Sequence, residues 1–345
     1  MRHKVIMDVD PGIDDTLAIL FARLAPQIEL LGLTVVAGNV SLSKGCRNAL
    51  YALHFAGDHS TPVFAGAAKP LRREHVAAEE THGSDGYGEL HKIPAYQPLQ
   101  QKLDGSPERA VHQQPDFMLR TLEQYPHEVS ILALGPLTNL ALAWREAPET
   151  LAKAKQIIVM GGSARHPGNC SPVAEYNFWV DPHAAHLLFT SELAEKITML
   201  GLDVTHRIVF SPNLREVVRM LDTPLARFVY DLTRFYVDFH WAQEKTLGCV
   251  INDPLVPAFL LRPQSVRRKP AYVDICTEGP AMGQSVVDFA GLWHGGKSPV
   301  QVGVEVDVPQ FFALFLETLF PEFSDDLEIL LRQEFGKEFA RSGQA

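Results

Sequence analysis

The sequence predicts an open α/β fold, in which a mostly parallel, doubly wound sheet carries helices on both faces. Short apolar runs recur along the first 200 residues, and each is followed by Gly, Pro, Asn or Asp and then by a helical pattern. Strands that are buried on both faces are typically continuous apolar runs. Their alternation with helices is typical of βαβ units and therefore of a parallel sheet.

Five strands and four helices are predicted in this first part of the chain. The strands are Val5–Val9, Leu30–Val36, Val129–Leu134, Gln156–Met160 and Lys196–Leu200. The helices are Asp14–Leu24, Lys44–Ala56, Pro136–Arg145 and Pro182–Thr190. The stretch Gly66–Pro115 is rich in Gly, Pro, His and charge, so we expect long loops there, of the kind that often form sites.

The second part of the chain is predicted to be helical first and mixed later. Residues 212–261 have a mostly helical pattern, followed by strands at Ala271–Cys276, Ser285–Phe289 and Val300–Val306. Helices are predicted at Phe311–Phe320 and, with an amphipathic pattern, at Ser324–Arg341. Because no repeat or linker interrupts the pattern, we expect one domain over residues 1–345, with an extra C-terminal helical tail at about 321–345.

The composition excludes several classes of function. The 345 residues include 41 Asp and Glu against 31 Lys and Arg, a net charge of −10, which argues against a nucleic-acid partner. No run of about 18 apolar residues and no signal peptide is apparent, so we expect no membrane partner and a soluble, cytoplasmic protein. The four cysteines match no metal-site spacing and are expected to be free thiols.

The most informative segment is Val5–Thr16, where an apolar strand leads into a helix. Asp8, Asp10, Asp14 and Asp15 fall within it, on either side of a Pro-Gly turn. Ligands of open α/β sheets bind beyond the carboxyl ends of the strands. Four carboxylates there would repel one another without a counter-charge, so we predict a bound cation. Oxygen ligands alone favour a hard ion, Ca²⁺ or Mg²⁺.

Two enzyme classes begin with such a motif. Haloacid-dehalogenase-type phosphatases have Asp-x-Asp, then one residue, then Thr or Val, but Pro11 and Gly12 follow Asp10 here. The segment Asp8–Asp15 instead matches Asp-x-Asp-Pro-Gly-x-Asp-Asp residue for residue. On this motif the chain resembles the nucleoside hydrolases of the inosine–uridine preferring type.

Further segments match this family in the same order, over roughly residues 4–320. They are Thr34–Asn39, His82–Gly88, Ala133–Asn139, Met160–Gly162, Glu175–Phe178 followed by Asp181–Pro182, and Asn252–Pro254. The first three resemble the family's second strand with Asn at its tip, a His-Gly-x-Asp-Gly loop and a strand-to-helix turn, and the last occupies the place of its His-Asp pair. The resemblance implies the open α/β fold described above, and a homodimer or homotetramer.

The resemblance also implies a site. Ca²⁺ would be held by the carboxylates of Asp10, Asp15 and Asp253 and by the backbone carbonyl of Leu134. Asp8 would orient these ligands. The residues implied to contact the nucleoside substrate are Asp14 and Asn39 at the ribose diol, Asn169, Glu175 and Asn177 at the 5′ and 3′ hydroxyls, and Met160 beneath the sugar.

The implied reaction is hydrolysis of the N-glycosidic bond of a ribonucleoside to ribose and free base. Its transition state carries positive charge on the sugar, which carboxylates such as Asp14 stabilise. Ca²⁺ lowers the pKa of a bound water. Asp10 would act as the general base that takes a proton from that water.

One position departs from the family pattern. Many members have His directly before the last metal-binding Asp, where it can protonate the departing base, but here the residue is Asn252. Asn can hydrogen-bond a base and cannot act as an acid. The alternative proton donors are His82 and His240, with Trp241 as a stacking surface. We expect His166 and His186 to be structural.

Three other functions stay open from the residues alone. The first is a phosphatase with Asp8 as nucleophile and Asp10 as acid and base. The second is a non-catalytic protein that binds nucleoside or ribose, and the third is a protein that a metal stabilises without any ligand.

Overall fold

A mixed, mostly parallel sheet forms the centre of the molecule in the computed structural model, which describes residues 2–104, 112–113, 116–336 and 339. Ten strands of these residues form the sheet. They are β1 His3–Val9, β2 Ile28–Val35, β3 Val63–Ala65, β4 His112–Gln113, β5 Val129–Ala133, β6 Gln156–Met160, β7 Ile197–Leu200, β10 Val266–Ile275, β11 Ser285–Asp288 and β12 Val300–Val306. A separate two-stranded sheet pairs β8 Val209–Phe210 with β9 Cys249–Val250.

The sheet is doubly wound around β1. Its strand order is β11-β10-β12-β7-β6-β5-β1-β2-β3-β4. All neighbours pair in parallel except β10, which is antiparallel to both β11 and β12. The chain runs outward from β1 to β4 and then returns to β5 on the other side of β1. The strand order therefore reverses between β1 and β5, the place where open α/β sheets bind their ligands.

Helices connect and cover these strands. Within the described residues they are α1 Ile13–Leu24, α2 Leu42–Phe55, α3 Glu79–His82, α4 Gln97–Asp104, α5 Asp116–Gln124, α6 Thr138–Glu146, α7 Pro148–Leu151, α8 Tyr176–Val180, α9 Pro182–Phe189, α10 Leu202–Thr205, α11 Pro212–Met220, α12 Pro224–Glu244, α13 Leu255–Leu261, α14 Val308–Leu319 and α15 Ser324–Phe335.

The two faces of the sheet carry separate hydrophobic cores, as alternation along β1 shows. Val5, Met7 and Val9 belong to one core, which packs against α1 and the C-terminal helices. Ile6 points the other way into a core with α5, α6 and α9. Because successive strand side chains face opposite sides, an entirely apolar strand needs helices on both faces. The predicted fold class is confirmed.

The remaining differences from the predicted elements have physical causes. The predicted loop region 66–115 also contains two short helices, α3 and α4, and the two-residue strand β4, which are too short to show periodicity. Region 212–261 contains three helices, but also β9, a strand of only two residues. The predicted terminal helix Ser324–Arg341 ends at Phe335, and residues 337–338 and 340–345 lie outside the described residues.

The C-terminal helix α15 packs onto the main core. Its buried residues, Leu327, Leu330 and Leu331, join the same core as Phe312 and Phe315 of α14. A separate domain would keep its own core. We therefore propose that the described chain is one domain that includes this helix. No helix within the described residues is long and apolar enough to cross a membrane.

Truncating the buried face of α15 should therefore destabilise the whole fold. We expect Leu331→Ala, at a fully buried position, to lower the free energy of unfolding by about 2–5 kcal/mol in urea denaturation. The control is Ile329→Ala, since Ile329 is 57% exposed on the same helix and should change stability little. Unfolding of the helix in a separate, earlier transition would contradict the one-domain proposal.

Candidate active site

The predicted site residues gather where the strand order reverses, at the carboxyl ends of β1 and β5. A cavity of about 480 Å³ opens there. The predicted residues that line it are Asp14, Asn39, His82, Leu134, Met160, Asn169, Glu175, Asn177, His240, Asn252 and Asp253. Asp10 and Asp15 are fully buried and are not among the lining residues. The structure therefore brings together residues from almost the whole length of the chain.

Asp8 is anchored within the sheet. One of its carboxylate oxygens accepts hydrogen bonds from the Thr34 hydroxyl and, at 2.8 Å, from the Asn139 side-chain amide. Its backbone carbonyl accepts from the amide of Leu134 at 2.8 Å. Burial raises the pKa of Asp8 to about 7. Since Asp8 is fully buried and does not line the cavity, it ties β1 to its neighbouring strands and is poorly placed as a nucleophile.

The Asp10 carboxylate is packed tightly against the backbone of two neighbouring segments. Its Oδ2 accepts from the amide of Asn39 at 2.7 Å. A Cβ at Gly38 would lie 2.0 Å from that oxygen, and one at Gly135 would lie 2.6 Å from Oδ1, so only glycine fits at both positions. Oδ1 is buried with no hydrogen-bond partner among the described residues. Burial, and then the charge of Asp15, raise the pKa of Asp10 well above its usual value.

Asp15 closes the turn that follows β1. Its two oxygens accept from the amides of Asp10 and Gly12, each at 3.1 Å. The side-chain amide of Asn39 donates to it at 3.1 Å. The backbone and side-chain N–H groups of Asn39 thus hold Asp10 and Asp15. Asn39 also lines the cavity, and its contact with the ribose stays a prediction. Burial, followed by the charge of Asp14, raises the pKa of Asp15 to about 6.

Three carboxylates converge closely enough to hold a metal ion. Asp14, Asp15 and Asp253 each offer an oxygen, and these atoms lie within 4.8 Å of one another. Asp10 is not in this set, although, besides burial, the charges of Asp15 and Asp14 raise its pKa and its own charge raises the pKa of Asp253. Burial, and then the charges of Asp14 and Asp15, raise the pKa of Asp253 well above its usual value.

A cation fits this cluster physically. The carboxylates repel one another, and the unpartnered Oδ1 of Asp10 lacks a positive or donor group. Burying an uncompensated charge costs several kcal/mol, and a bound cation removes that penalty. The predicted ligand carbonyl of Leu134 already accepts from the side-chain amide of Asn177 at 2.6 Å, but a carbonyl oxygen has a second lone pair. The assignment of Asp10 and Leu134 as ligands stays a prediction.

One wall of the cavity carries the predicted sugar-binding residues. Glu175 caps α8, because its oxygens accept from the amides of Asn177 at 2.8 Å and Phe178 at 3.2 Å. It also accepts from the amide of Gly162 at 2.8 Å. The Asn177 side chain donates to the carbonyl of Met160 at 3.2 Å. These bonds fix the wall before any ligand is present.

Asn169 completes this wall from an exposed position. Its side-chain oxygen accepts from the amide of Tyr176 at 2.9 Å. Because that oxygen already has a partner, its side-chain N–H₂ group is the part free to donate to a ligand hydroxyl.

The two candidate proton donors, His82 and His240, differ in the hydrogen bond that Nδ1 of the ring makes, and therefore in which ring nitrogen carries the proton. Nδ1 of His82 accepts from the amide of Ile13 at 3.2 Å, so the neutral ring carries its proton on Nε2. Protonating Nδ1 would break that bond, and burial lowers the pKa of His82 to about 4. His82 is therefore a neutral N–H donor at the cavity wall. Gly12 permits this packing, because a Cβ there would lie 2.7 Å from Nδ1.

His240 has the opposite arrangement. Its Nδ1 lies 2.8 Å from the carbonyl of Tyr236, which can only accept, so Nδ1 carries a proton. Nε2 is then the atom through which His240 can exchange a proton with a ligand. Burial lowers the pKa of His240. Trp241 is half exposed and is not among the residues that line the cavity, so the structure does not favour it as a stacking surface.

The side chain of Asn252 contacts Asp14 of the carboxylate cluster. Its side-chain N–H₂ donates to Asp14 at 3.2 Å, and the Tyr236 hydroxyl donates to the same oxygen at 3.4 Å. Its Oδ1 is buried with no partner among the described residues. The side chain thus takes part in orienting Asp14.

Several functional neighbours were not predicted from the sequence. Thr34 and Asn139 hold Asp8, Tyr236 reaches Asp14, and His206 lines the cavity beside Glu244. Thr34 and Asn139 lie in segments that match the family pattern, but no spacing signal showed which carboxylate they would meet.

The two histidines predicted to be structural lie outside the cavity lining. His186 pairs through Nδ1 with Asp274 at 2.6 Å. His166 Nδ1 lies 2.9 Å from the carbonyl of Pro167.

Comparison with known proteins agrees with this geometry. Residues 5–313 match the family model described as inosine-uridine preferring nucleoside hydrolase. The chain belongs to this family. The predicted resemblance is thereby confirmed, and with it the prediction of a nucleoside N-ribohydrolase.

Relatives within the nucleoside hydrolase family span nearly the whole chain. A probable uridine nucleosidase 1 of Oryza sativa is 38% identical, covering 92% of this chain and 97% of its own length. An inosine-uridine preferring nucleoside hydrolase of Leishmania major is 36% identical, covering 92% and 98%. Among solved structures, a purine-preferring ribonucleoside hydrolase from Gardnerella vaginalis superposes with a TM-score of 0.83 at 32% identity, covering 93% of this chain and 99% of its own.

The buried Glu175 should give this nucleoside hydrolase a measurable pH dependence of stability. Burial raises the pKa of Glu175 from 4.5 to about 7. Its contribution to folding is therefore fully present below about pH 4.5 and is lost as the pH rises through about 7. We expect Glu175→Gln to flatten the decline of the urea midpoint between about pH 5 and pH 8.

The matched control for this measurement is Glu328→Gln, which removes an exposed carboxylate on α15 and should keep the wild-type slope. An equal slope in wild type and Glu175→Gln would show that Glu175 ionises normally in the folded protein.

Proposed function

We propose that this chain hydrolyses the N-glycosidic bond of ribonucleosides with the help of a bound calcium ion. The observation that carries the proposal is one cavity that is lined both by Asp14 and Asp253 of the carboxylate cluster and by Asn169, Glu175 and Asn177. The first group suits a cation and the second suits hydroxyl groups. A ribose ring is a ligand that can meet both.

Calcium is favoured by the chemistry of the donors. The available ligands are carboxylate and carbonyl oxygens, without sulfur or imidazole in the cluster. Ca²⁺ accepts six to eight such ligands in flexible geometry, including water and ligand hydroxyls. When bound, it would orient the ribose diol and lower the pKa of a coordinated water.

The protein's own residues supply the remaining chemistry. Asp14 and Asp253 face the cavity and stabilise the positive charge that grows on the sugar as the bond breaks. Asp10, with an unpartnered Oδ1, is the proposed general base. Glu175, Asn177 and Asn169 hold the 5′ and 3′ hydroxyls, and Met160 packs under the ring.

The departing base needs a proton, and His240 is the better placed donor. Nδ1 of His82 is occupied by a backbone N–H, so its ring cannot become doubly protonated without losing that bond. His240 keeps its own proton on Nδ1 and can take a second on Nε2. We therefore assign His240 as the acid and His82 as a neutral hydrogen-bond donor to the base.

The alternatives fit less well. A phosphatase would use Asp8 as nucleophile, but this side chain lies within β1 and one of its oxygens is bonded to both Thr34 and Asn139. A binding protein without catalysis is disfavoured because the relatives are named as a hydrolase and a probable nucleosidase. The names of the relatives suggest uridine and inosine as first substrates to test. The cytoplasmic location and the homodimer or homotetramer stay predictions.

Ribose release should depend on the metal and on Asp10. We expect a chelator to abolish reducing-sugar release from uridine or inosine, and excess Ca²⁺ to restore it. Asp10→Ala should lower kcat about 100-fold or more, since general base catalysis is typically worth 10²–10⁴-fold. Unchanged release by Asp10→Ala would refute its role as the base, and phosphate-ester cleavage in place of ribose release would favour the phosphatase.

The effect of protonating the departing base can be measured separately with a second substrate whose leaving group needs no proton. We expect His240→Ala to lower kcat for nucleosides about 100-fold, and to leave hydrolysis of 4-nitrophenyl β-D-riboside nearly unchanged, because nitrophenolate departs without a proton. His186→Ala, which removes a histidine outside the cavity lining, is the matched control. Equal losses on both substrates would remove His240 from the role of acid.

A further inference from the structure

A second pair of ionisable side chains lines the cavity and has no role in the mechanism proposed above. Glu244 is the last residue of α12, and His206 directly follows α10. Nε2 of His206 lies 3.1 Å from a carboxylate oxygen of Glu244, with side chains 23% and 28% exposed, respectively. Both line the same cavity as His240. Both are more exposed than His240, which is only 3% exposed.

Glu244 is related to His240 by helix geometry. The two residues are four apart on α12, so their side chains lie on the same face one turn apart. His206 fixes the carboxylate from a different element, which limits the rotamers that Glu244 can adopt. Burial would raise the pKa of Glu244, but the hydrogen bond and charge of His206, with the charges of His240 and His166, hold it below its usual value. The carboxylate next to His240 is therefore charged.

His240, the proposed acid, needs a negative charge nearby. With Nδ1 bonded to the carbonyl of Tyr236, neutral His240 has no proton on Nε2. It can donate to a departing base only as the imidazolium, a cation that burial disfavours. A nearby fixed carboxylate offsets this penalty.

We infer that Glu244 is a positioning residue for leaving-group protonation: held by His206, it stabilises the doubly protonated ring of His240 that faces the cavity. This inference rests on the proposed function. As the C–N bond breaks, its electron pair stays with the base, and a base nitrogen takes the proton from Nε2 of His240. The neutral imidazole regains a proton from water at the mouth, past Glu244 and His206, while the proton of the attacking water goes to Asp10.

The other groups around His240 do not replace Glu244. Asp14 also favours the charged ring, but it is shared with Asn252 and Tyr236 and belongs to the carboxylate cluster. The charged or ionisable groups that act on His240 within the described residues include Glu244 on α12, Asp14 on α1, His206 after α10 and His82 at the end of α3, beside the backbone carbonyl of Tyr236. His166 acts on Glu244. Glu244 is the carboxylate among them that has access to solvent.

The test uses Glu244→Gln, which keeps the size and a hydrogen-bond acceptor but removes the charge. We expect kcat for a nucleoside to fall about tenfold with KM changed less than about twofold, and the alkaline fall of kcat to move about one pH unit lower. The shift is downward because imidazolium that loses its counter-charge deprotonates at lower pH. Hydrolysis of 4-nitrophenyl β-D-riboside should stay within about twofold of wild type.

Two further variants make the result interpretable. Asp238→Asn removes an exposed carboxylate that pairs with Arg234 on the same helix, so it should change neither substrate nor pH profile. His206→Ala should cause a smaller loss of the same kind, and the double variant should be no worse than Glu244→Gln alone, since both act through one group.

The outcomes separate this inference from the proposed function. Equal losses on both substrates, or an unmoved pH profile, would overturn the role of Glu244. The ratio of the two activities does not depend on how much protein is folded, so a destabilised variant still gives an answer. If wild-type protein cleaves neither substrate, the proposed function itself fails.

Discussion

Burial of several carboxylates in one place is the constraint on which the rest of the structure depends. Asp8, Asp10, Asp14, Asp15 and Asp253 all lie at the end of the central strand with almost no solvent exposure. Without compensation, each such charge would cost several kcal/mol. Burial and mutual repulsion accordingly raise the pKa of Asp10, Asp15 and Asp253. Hydrogen-bond donors and a bound cation can compensate these charges. Most of the local architecture presents such donors to the carboxylates.

Backbone amides supply much of the compensation. The Pro-Gly turn after β1 presents the amides of Asp10 and Gly12 to Asp15, and the tip of β2 presents the amide of Asn39 to Asp10. Such close approach requires glycine at Gly38 and Gly135. The same turn receives His82, which fixes the tautomer of that ring. One short motif therefore positions both the carboxylate cluster and His82 at the cavity.

Some of this arrangement could be predicted from the sequence, and some could not. The mostly apolar strand segments predict the doubly wound sheet, and the Asp-x-Asp-Pro-Gly-x-Asp-Asp segment predicts the acidic site at a strand end. Both predictions depend on local sequence pattern. The direction of a side-chain hydrogen bond depends on packing between distant elements. For that reason the hydrogen bonds from the N–H groups of Asn39 to two carboxylates, and the meeting of His206 with Glu244, were not predicted.

The central claim is that the carboxylate cluster is built for one hard cation. Its most direct test is calorimetric titration of Ca²⁺ into protein freed of metal by a chelator, with wild type compared with Asp15→Asn. We expect one ion per chain to bind wild type, with binding weakened at least tenfold in the variant, as for the loss of a charged ligand. Absence of binding to wild type, or equal binding to both proteins, would contradict the claim.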